Sequence, residues 1–245
     1  MISSELLLAF CMFLGAILYT SVGHAGASVY LALMALFGLP TAVMRPTALV
    51  LNILVASFAS VRFGTAGFFS WRTLWPFLIG AVPFAFIGGA IKLPGDFYKP
   101  LVGIVLWIAA ARLLWPRGLQ VVDNQRDPPV YIAVLCGAAI GMLSGLTGTG
   151  GGIFLSPLLL FFGWSNPKIA SGVAAAFILA NSISGLAGNF ASVQSLPANL
   201  PLYAGSVMAG ALIGTTLGIR FENPAIFKAL GFVLIIAGFK LLGFF

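Results

Sequence analysis

Charge is the scarcest property of this sequence. Only 7% of its 245 residues are charged, where soluble proteins devote about a quarter. Acids number five, Glu5, Asp96, Asp123, Asp127 and Glu222, and all fall at the ends of apolar runs or in polar connections. There is one histidine, His24, and the two cysteines, Cys11 and Cys136, lie singly inside apolar segments. Without a CxxC or a Cys/His cluster the sequence offers no metal site. It has no HExxH, no G-x-S-x-G and no intramembrane carboxylate pair for acid–base work, which argues against a membrane-embedded enzyme and against a resident cofactor.

Apolar residues fill the space left by charge. They make up 60% of the chain, and the mean hydropathy is +1.10. They come in long runs, among them Thr73–Ile91, Leu101–Leu114, Val130–Leu146 and Leu202–Ile219. Runs near ~20 residues match a bilayer crossing. The formal charge of +7 comes from twelve Lys and Arg placed singly at run edges. That is a topology signal and not a nucleic-acid patch, so the expected surroundings are a lipid bilayer and no nucleic acid. The first apolar run carries Glu5 where a secretory signal would carry basic residues.

Sliding the chain against itself by 125 residues aligns Cys11 with Cys136, Gly23 with Gly148, Gly26 with Gly151, Gly38 with Gly163, Ser57 with Ser182 and Gly89 with Gly214, without a gap. One ungapped offset that superposes special-purpose glycines signals duplication. The expected domains are a first transmembrane repeat over 1–115, a polar cytoplasmic linker over 116–128 and a second repeat over 129–245.

Each half reads as five helical pieces. In the first half they are Glu5–Val22, Ala27–Phe37, Ala42–Phe63, Trp71–Ile91 and Phe97–Trp115. In the second they are Pro129–Leu146, Ile153–Phe162, Asn166–Asn189, Pro201–Arg220 and Ala225–Phe244. The second piece of each half has about eleven residues, which at ~1.5 Å per residue reaches about half of a ~30 Å hydrocarbon layer. Either it folds back as a hairpin with the first piece or both run as tilted spans.

Positive charge assigns the sides. Arg62 and Arg72 bracket one loop, Arg112, Arg117 and Arg126 mark the linker, and Arg220 with Lys228 marks a loop near the end, so these belong on the cytoplasmic face. The loop Ala191–Pro201 is uncharged although its repeat partner Gly64–Leu74 is basic. Equivalent loops on opposite sides make the repeat inverted and put both termini outside; Arg45, Lys92 and Lys99 then fall outside as well. The expected fold is an all-α integral membrane protein of two inverted-topology tandem repeats, whose Gly-rich broken helices meet near the midplane of the cytoplasmic (inner) membrane.

The breaks carry the chemistry. The second reads Ser144-Gly145-Leu146-Thr147-Gly148-Thr149-Gly150-Gly151-Gly152 and the first Thr20-Ser21-Val22-Gly23-His24-Ala25-Gly26-Ala27-Ser28. Four glycines in five positions do not hold a membrane helix, since each costs about 1 kcal/mol relative to Ala. Non-helical backbone at that depth is tolerated only where protein or water covers it. Free N–H groups at the start of the next helix, with its dipole, form an anion site that needs no cationic side chain. The candidate substrate-binding residues are therefore Ser21, Gly23, His24, Gly26 and Ser28 of the first break, and Thr147, Gly148, Thr149, Gly150, Gly151 and Gly152 of the second. The competing reading is that these glycines only permit close helix packing.

His24 sits inside a break, where it either contacts substrate or caps backbone carbonyls. With no carboxylate relay, proton coupling would have to use His24 or the substrate's own protonation. Arg45, beside Pro46-Thr47, and Lys168 either draw anions to the mouths of a pathway or snorkel at the interface. Asn52 and Asn181 are amides in apolar runs that either line the cavity or bond another helix.

At these residues the chain resembles the sulfite exporter TauE/SafE family, also called the toluene sulfonate uptake permeases. The likeness covers both halves and is strongest in the Gly148-Thr-Gly150-Gly151-Gly152-Ile-Phe-Leu-Ser-Pro157 run; the first break departs from the usual glycine cluster. The resemblance implies transport of sulfite, sulfonates or related sulfur-containing anions across the cytoplasmic membrane. The residues alone leave open a secondary transporter working by alternating access, a passive anion channel or a structural membrane subunit, with the oligomeric state undefined.

Overall fold

The computed structural model describes residues 2–114, 126–190, 196–220 and 224–244. Within them the chain is all α-helical, in ten helices: α1 Ile2–Thr20, α2 Ala27–Leu36, α3 Thr41–Thr65, α4 Trp71–Ala90, α5 Gly95–Leu114, α6 Val130–Thr147, α7 Gly152–Phe161, α8 Pro167–Gly188, α9 Leu200–Arg220 and α10 Pro224–Leu241. Most of the linker (115–125) and of the loop after α8 (191–195) lies outside the described residues, as do the side chains of Arg112, Arg117, Asp123, Glu222 and Lys228. Five helices, α3, α4, α6, α8 and α9, are long and apolar enough to cross a membrane.

The element boundaries follow local chemistry. Ser70 caps α4 through Thr73 N at 3.3 Å, and Asn166 caps α8 through Ile169 N at 2.9 Å, with Pro167 supplying a preset first turn. α5 begins at Gly95, two residues before the predicted Phe97, because the Tyr98 and Phe97 amides already bond back to the carbonyl of Pro94 at 2.9 and 3.0 Å. The helices α2 and α7 have 10 residues each, or about 15 Å of rise.

Packing joins the two halves of the chain crosswise. α4 lies along α6 and α1 along α9, while α3 packs on α8 and α5 on α10. Glycine sets the distance in the α4–α6 pair: a Cβ on Gly80, Gly137, Gly141 or Gly145 would run into the carbonyl of Val134, Phe77, Ala81 or Ala85 respectively. α9 approaches α1 the same way through Gly210, Gly214 and Gly218, set against the carbonyls of Phe13, Ile17 and Ser21. In lipid, where tails are as apolar as leucine, such backbone contact is a main source of helix association.

Two large apolar cores result, with a small third one at Ala59, Phe63 and Ala175. One gathers α1, α2, α3, α5, α9 and α10 around Met12, Tyr30, Leu51 and Leu106; the other gathers α4, α6, α7 and α8 around Phe77, Leu155 and Phe177. Outward faces stay apolar, with Phe10, Phe86, Leu135, Phe161 and Leu212 exposed. A belt of that extent is a membrane surface and not a water-facing one.

Candidate functional site

The chain leaves helical geometry twice. The first break follows α1, with Gly23 at φ 76° and Gly26 at 102°; the second follows α6, with Gly148, Gly150 and Gly151 at 85°, 77° and 80°. Left-handed φ is what turns the chain from one helix into the next, and these glycines hold it without the steric cost a side chain would add. The breaks are not copies. Gly150 is left-handed, whereas Ala25, 125 residues earlier, is not, since no residue other than glycine has positive φ among the described residues.

The two breaks meet in the interior. His24 Nε2 lies 3.0 Å from the carbonyl of Gly152, the first residue of α7. A carbonyl can only accept, so Nε2 carries the proton and donates. Tyr19 closes over the imidazole edge-on at 6.2 Å between ring centres.

Asn52 of α3 ties the same junction together. Its Oδ1 accepts the N–H of Ala27 at 3.1 Å, and its Nδ2 donates to Ser182 Oγ at 3.3 Å. A Cβ on Gly150 would meet that Nδ2 at 2.5 Å and Ser182 Oγ at 3.3 Å. The amide oxygen thus stands at the N-terminus of α2, where an anion would otherwise sit. One N–H at the start of the first half-helix, that of Ala27, is thereby taken by the protein's own amide.

The start of the second half-helix has no such side-chain partner among the described residues. α7 has Gly151 at its N-cap and no side chain capping it. Among the described residues no acceptor takes the N–H of Gly150, Gly151, Gly152 or Ile153. Beside them stands Asn181 of α8, with no exposed surface and, among the described residues, with neither its Nδ2 nor its Oδ1 hydrogen-bonded; a Cβ on Gly151 would lie 3.3 Å from that Nδ2. Ser144 Oγ and Ser156 Oγ are likewise buried without partners there. Buried amides are nearly always bonded in folded proteins, so the unpartnered Asn181 next to Gly151 marks the start of α7 as the candidate position.

Other candidate donors are already engaged. Thr147 Oγ1 donates to Leu143 O at 2.7 Å and lies 3.0 Å from Thr149 Oγ1, and Ser21 Oγ donates to Leu18 O at 2.7 Å. Ser28 is buried in the first turn of α2. Gly23 packs against the backbone of Ser171, and Gly148 against Arg45.

Arg45 does not extend into the junction. Its guanidinium holds the carbonyl end of α4, with Nη1 on Ile91 O at 3.0 Å and Nη2 on Gly88 O and Gly89 O at 2.8 and 2.5 Å. Lys168 repeats the device at the end of α9, with Nζ on Ile219 O at 3.3 Å. Cations at helix C-termini satisfy orphan carbonyls and the dipole together. The sequence reading missed Tyr98, whose hydroxyl donates to Thr147 O at 3.0 Å, and Ser156. Tyr98 carries no local signal, while Ser156 stands in the Ser-Pro pair that ends the glycine run.

Ten helices among the described residues, five of them long and apolar enough to cross a membrane, and two half-length helices that begin at backbone breaks fit a membrane transporter. The sulfite exporter TauE/SafE family matches residues 7–241, and the chain belongs to that family. It is 38% identical to the probable membrane transporter protein y4hK of Sinorhizobium fredii, over 96% of this chain and 97% of the relative. It is 27% identical to the probable membrane transporter protein YjnA of Bacillus subtilis, over 94% and 96%. A probable membrane transporter protein of Xylella fastidiosa shares 27% over 46% of this chain and 44% of its own. No solved structure matches.

Proposed function

We propose that the chain is a secondary transporter of a small sulfur-containing anion, sulfite, a sulfonate or a close relative, across the cytoplasmic membrane. The observation that carries this reading is the uncapped start of α7: four N–H groups without acceptors among the described residues, beside the unpartnered Asn181 amide. The dipole and N–H groups of a helix N-terminus favour an anion, and at buried depth each bond to charge is worth about 1.5–3 kcal/mol. The family match supports the sulfur oxyanion.

Alternating access fits the packing. The residues from Thr147 to Ile153 are buried, so substrate reaches them only when one group of helices moves against another. Support for two related halves comes from the glycines: Gly23 and Gly148, Gly26 and Gly151, and Gly38 and Gly163, each 125 residues apart, all hold positive φ. In this reading the repeats 1–115 and 129–245 are inverted, the linker is cytoplasmic, and both termini lie outside.

Reconstituted protein tests it. A carrier loaded with sulfite inside the vesicle accelerates sulfite uptake from outside and saturates. Conductive, unsaturating flux without trans-stimulation would make the protein a channel, and no anion flux under any gradient would sink the reading.

A further inference from the structure

A cleft of about 250 Å³ opens beside the start of α3, lined by Thr41, Arg45, Lys92, Gly95, Tyr98 and Asn189 among others. Its lining includes two cations and no carboxylate. Two helices begin on it, α3 at Thr41 and α5 at Gly95, so two positive dipole ends face the same space. Arg45 is only 6% exposed and, although its two terminal nitrogens hold α4, its Nε is buried without an acceptor among the described residues. Asp96 neighbours Gly95 in sequence but is exposed and does not line the cleft.

We propose that this cleft is a second anion-binding site, a vestibule that holds a small oxyanion before it reaches the break junction. The proposal rests on the transporter reading and adds a station to its pathway. The contacts at the cleft floor carry the connection. Arg45 packs on Gly148, the residue that ends α6, and the Tyr98 hydroxyl donates to Thr147 O at 3.0 Å, one residue earlier. The cleft wall is therefore also the outer wall of the second break. An ion in the cleft, between Lys92 and the starts of α3 and α5, sits against the segment whose movement would expose the uncapped N–H groups of α7. A water takes about 30 Å³ of liquid, so the space holds an ion of a few heavy atoms with part of its hydration. Lys92, exposed at the rim, raises the local anion concentration and the rate of capture.

Oxyanion chemistry is shared by free sulfite and by a lipid headgroup phosphate, and the cleft is assigned to the free ion. Calorimetric titration of sulfite into the purified full chain in a maltoside detergent separates the possibilities. Wild type is expected to bind two sulfite ions per chain. Lys92→Gln, at an exposed position that leaves the fold intact, is expected to weaken one of them severalfold or remove it. Asn181→Leu is expected to weaken the other about 10- to 150-fold.

Unchanged stoichiometry and affinity in Lys92→Gln would overturn the vestibule while leaving the junction standing. A drop in co-purified lipid phosphorus in Lys92→Gln, with sulfite binding unchanged, would also overturn it and assign the cleft to a headgroup. A single site in wild type that Lys92→Gln weakens and Asn181→Leu leaves intact would keep the cleft and remove the junction reading. Arg45→Met, paired with a melting curve, gives the second check: a folded variant that retains both sites contradicts the proposal.

Discussion

The imidazole of His24 and the carbonyl of Gly152 are 128 residues apart in sequence and 3.0 Å apart in space. One is inside the first break, the other at the first residue of the helix that follows the second. The bond makes the two interruptions a single structural unit and aims the start of α7 at the junction. His24→Leu removes the donor and with it the bond between the two breaks, a cost of about 0.5–1.5 kcal/mol. We expect a lower melting temperature together with loss of sulfite flux in vesicles; a variant that transports at the wild-type rate would show the bond to be incidental.

Gly23 and Gly38 have nearly the same left-handed φ, 76° and 75°, and opposite surroundings. A Cβ on Gly23 collides with the backbone of Ser171, while one on Gly38 meets nothing within 4 Å. Gly38→Ala then costs only the conformational term, about 1–2 kcal/mol, and keeps transport. Gly23→Ala has to push α1 and α8 apart and is expected to abolish flux and most of the folded yield. Equal behaviour of the two variants, measured by size-exclusion profile and uptake, would contradict the close approach of the first break to α8.

The two buried asparagines divide stability from function. Asn52 caps α2, so Asn52→Ala is expected to lose about 1 kcal/mol, as other lost N-caps do. Asn181 has no partner among the described residues, and Asn181→Leu replaces an unsatisfied amide with a side chain of similar size. Its melting temperature is expected to hold or rise, as at other sites where function is kept at the expense of stability. Its affinity for sulfite should fall about 10- to 150-fold, the equivalent of one bond of ~1.5–3 kcal/mol to a charged group. A marked loss of stability in Asn181→Leu would reverse this assignment.

Arg45 and Lys168 both close helix ends, with unequal force. Arg45 makes three bonds from a buried position; Lys168 makes one long bond from a half-buried one. Arg45→Met should therefore lower the melting temperature by several degrees more than Lys168→Met, because three carbonyls at the end of α4, those of Gly88, Gly89 and the C-cap Ile91, lose this partner in a dry setting. The two melting curves decide it.

Much of this fold is visible in the chain. The short helices α2 and α7 start within a residue of expectation because glycine punctuates both sides, and α8 begins where Asn166-Pro167 announces it. The glycines divide into two kinds that composition does not separate. Gly137, Gly141 and Gly145 serve helix contact, as the packing reading holds, whereas Gly150 and Gly151 bend the chain beside polar groups. Asn52 and Asn181 look alike in sequence, and only the tertiary contacts show that one is spent on α2 and the other is not. Arg45 could not be assigned to the carbonyls of α4 either, since its partners lie more than forty residues away and carry no side-chain signal.

If the N–H groups at the start of α7, with Asn181, bind a small sulfur oxyanion, occupancy has to stabilise the fold. Thermal stability of the purified protein across a series of small oxyanions, sulfonates, cations and neutral metabolites reports this without assuming a direction of flux. Sulfite or a sulfonate at a hundred times its dissociation constant should stabilise wild type by about 2.7 kcal/mol. The stabilisation should weaken in Asn181→Leu, whose own melting temperature is preserved. Stabilisation by a cation or a neutral metabolite with no response to any anion, or an anion response unchanged in Asn181→Leu, would contradict it.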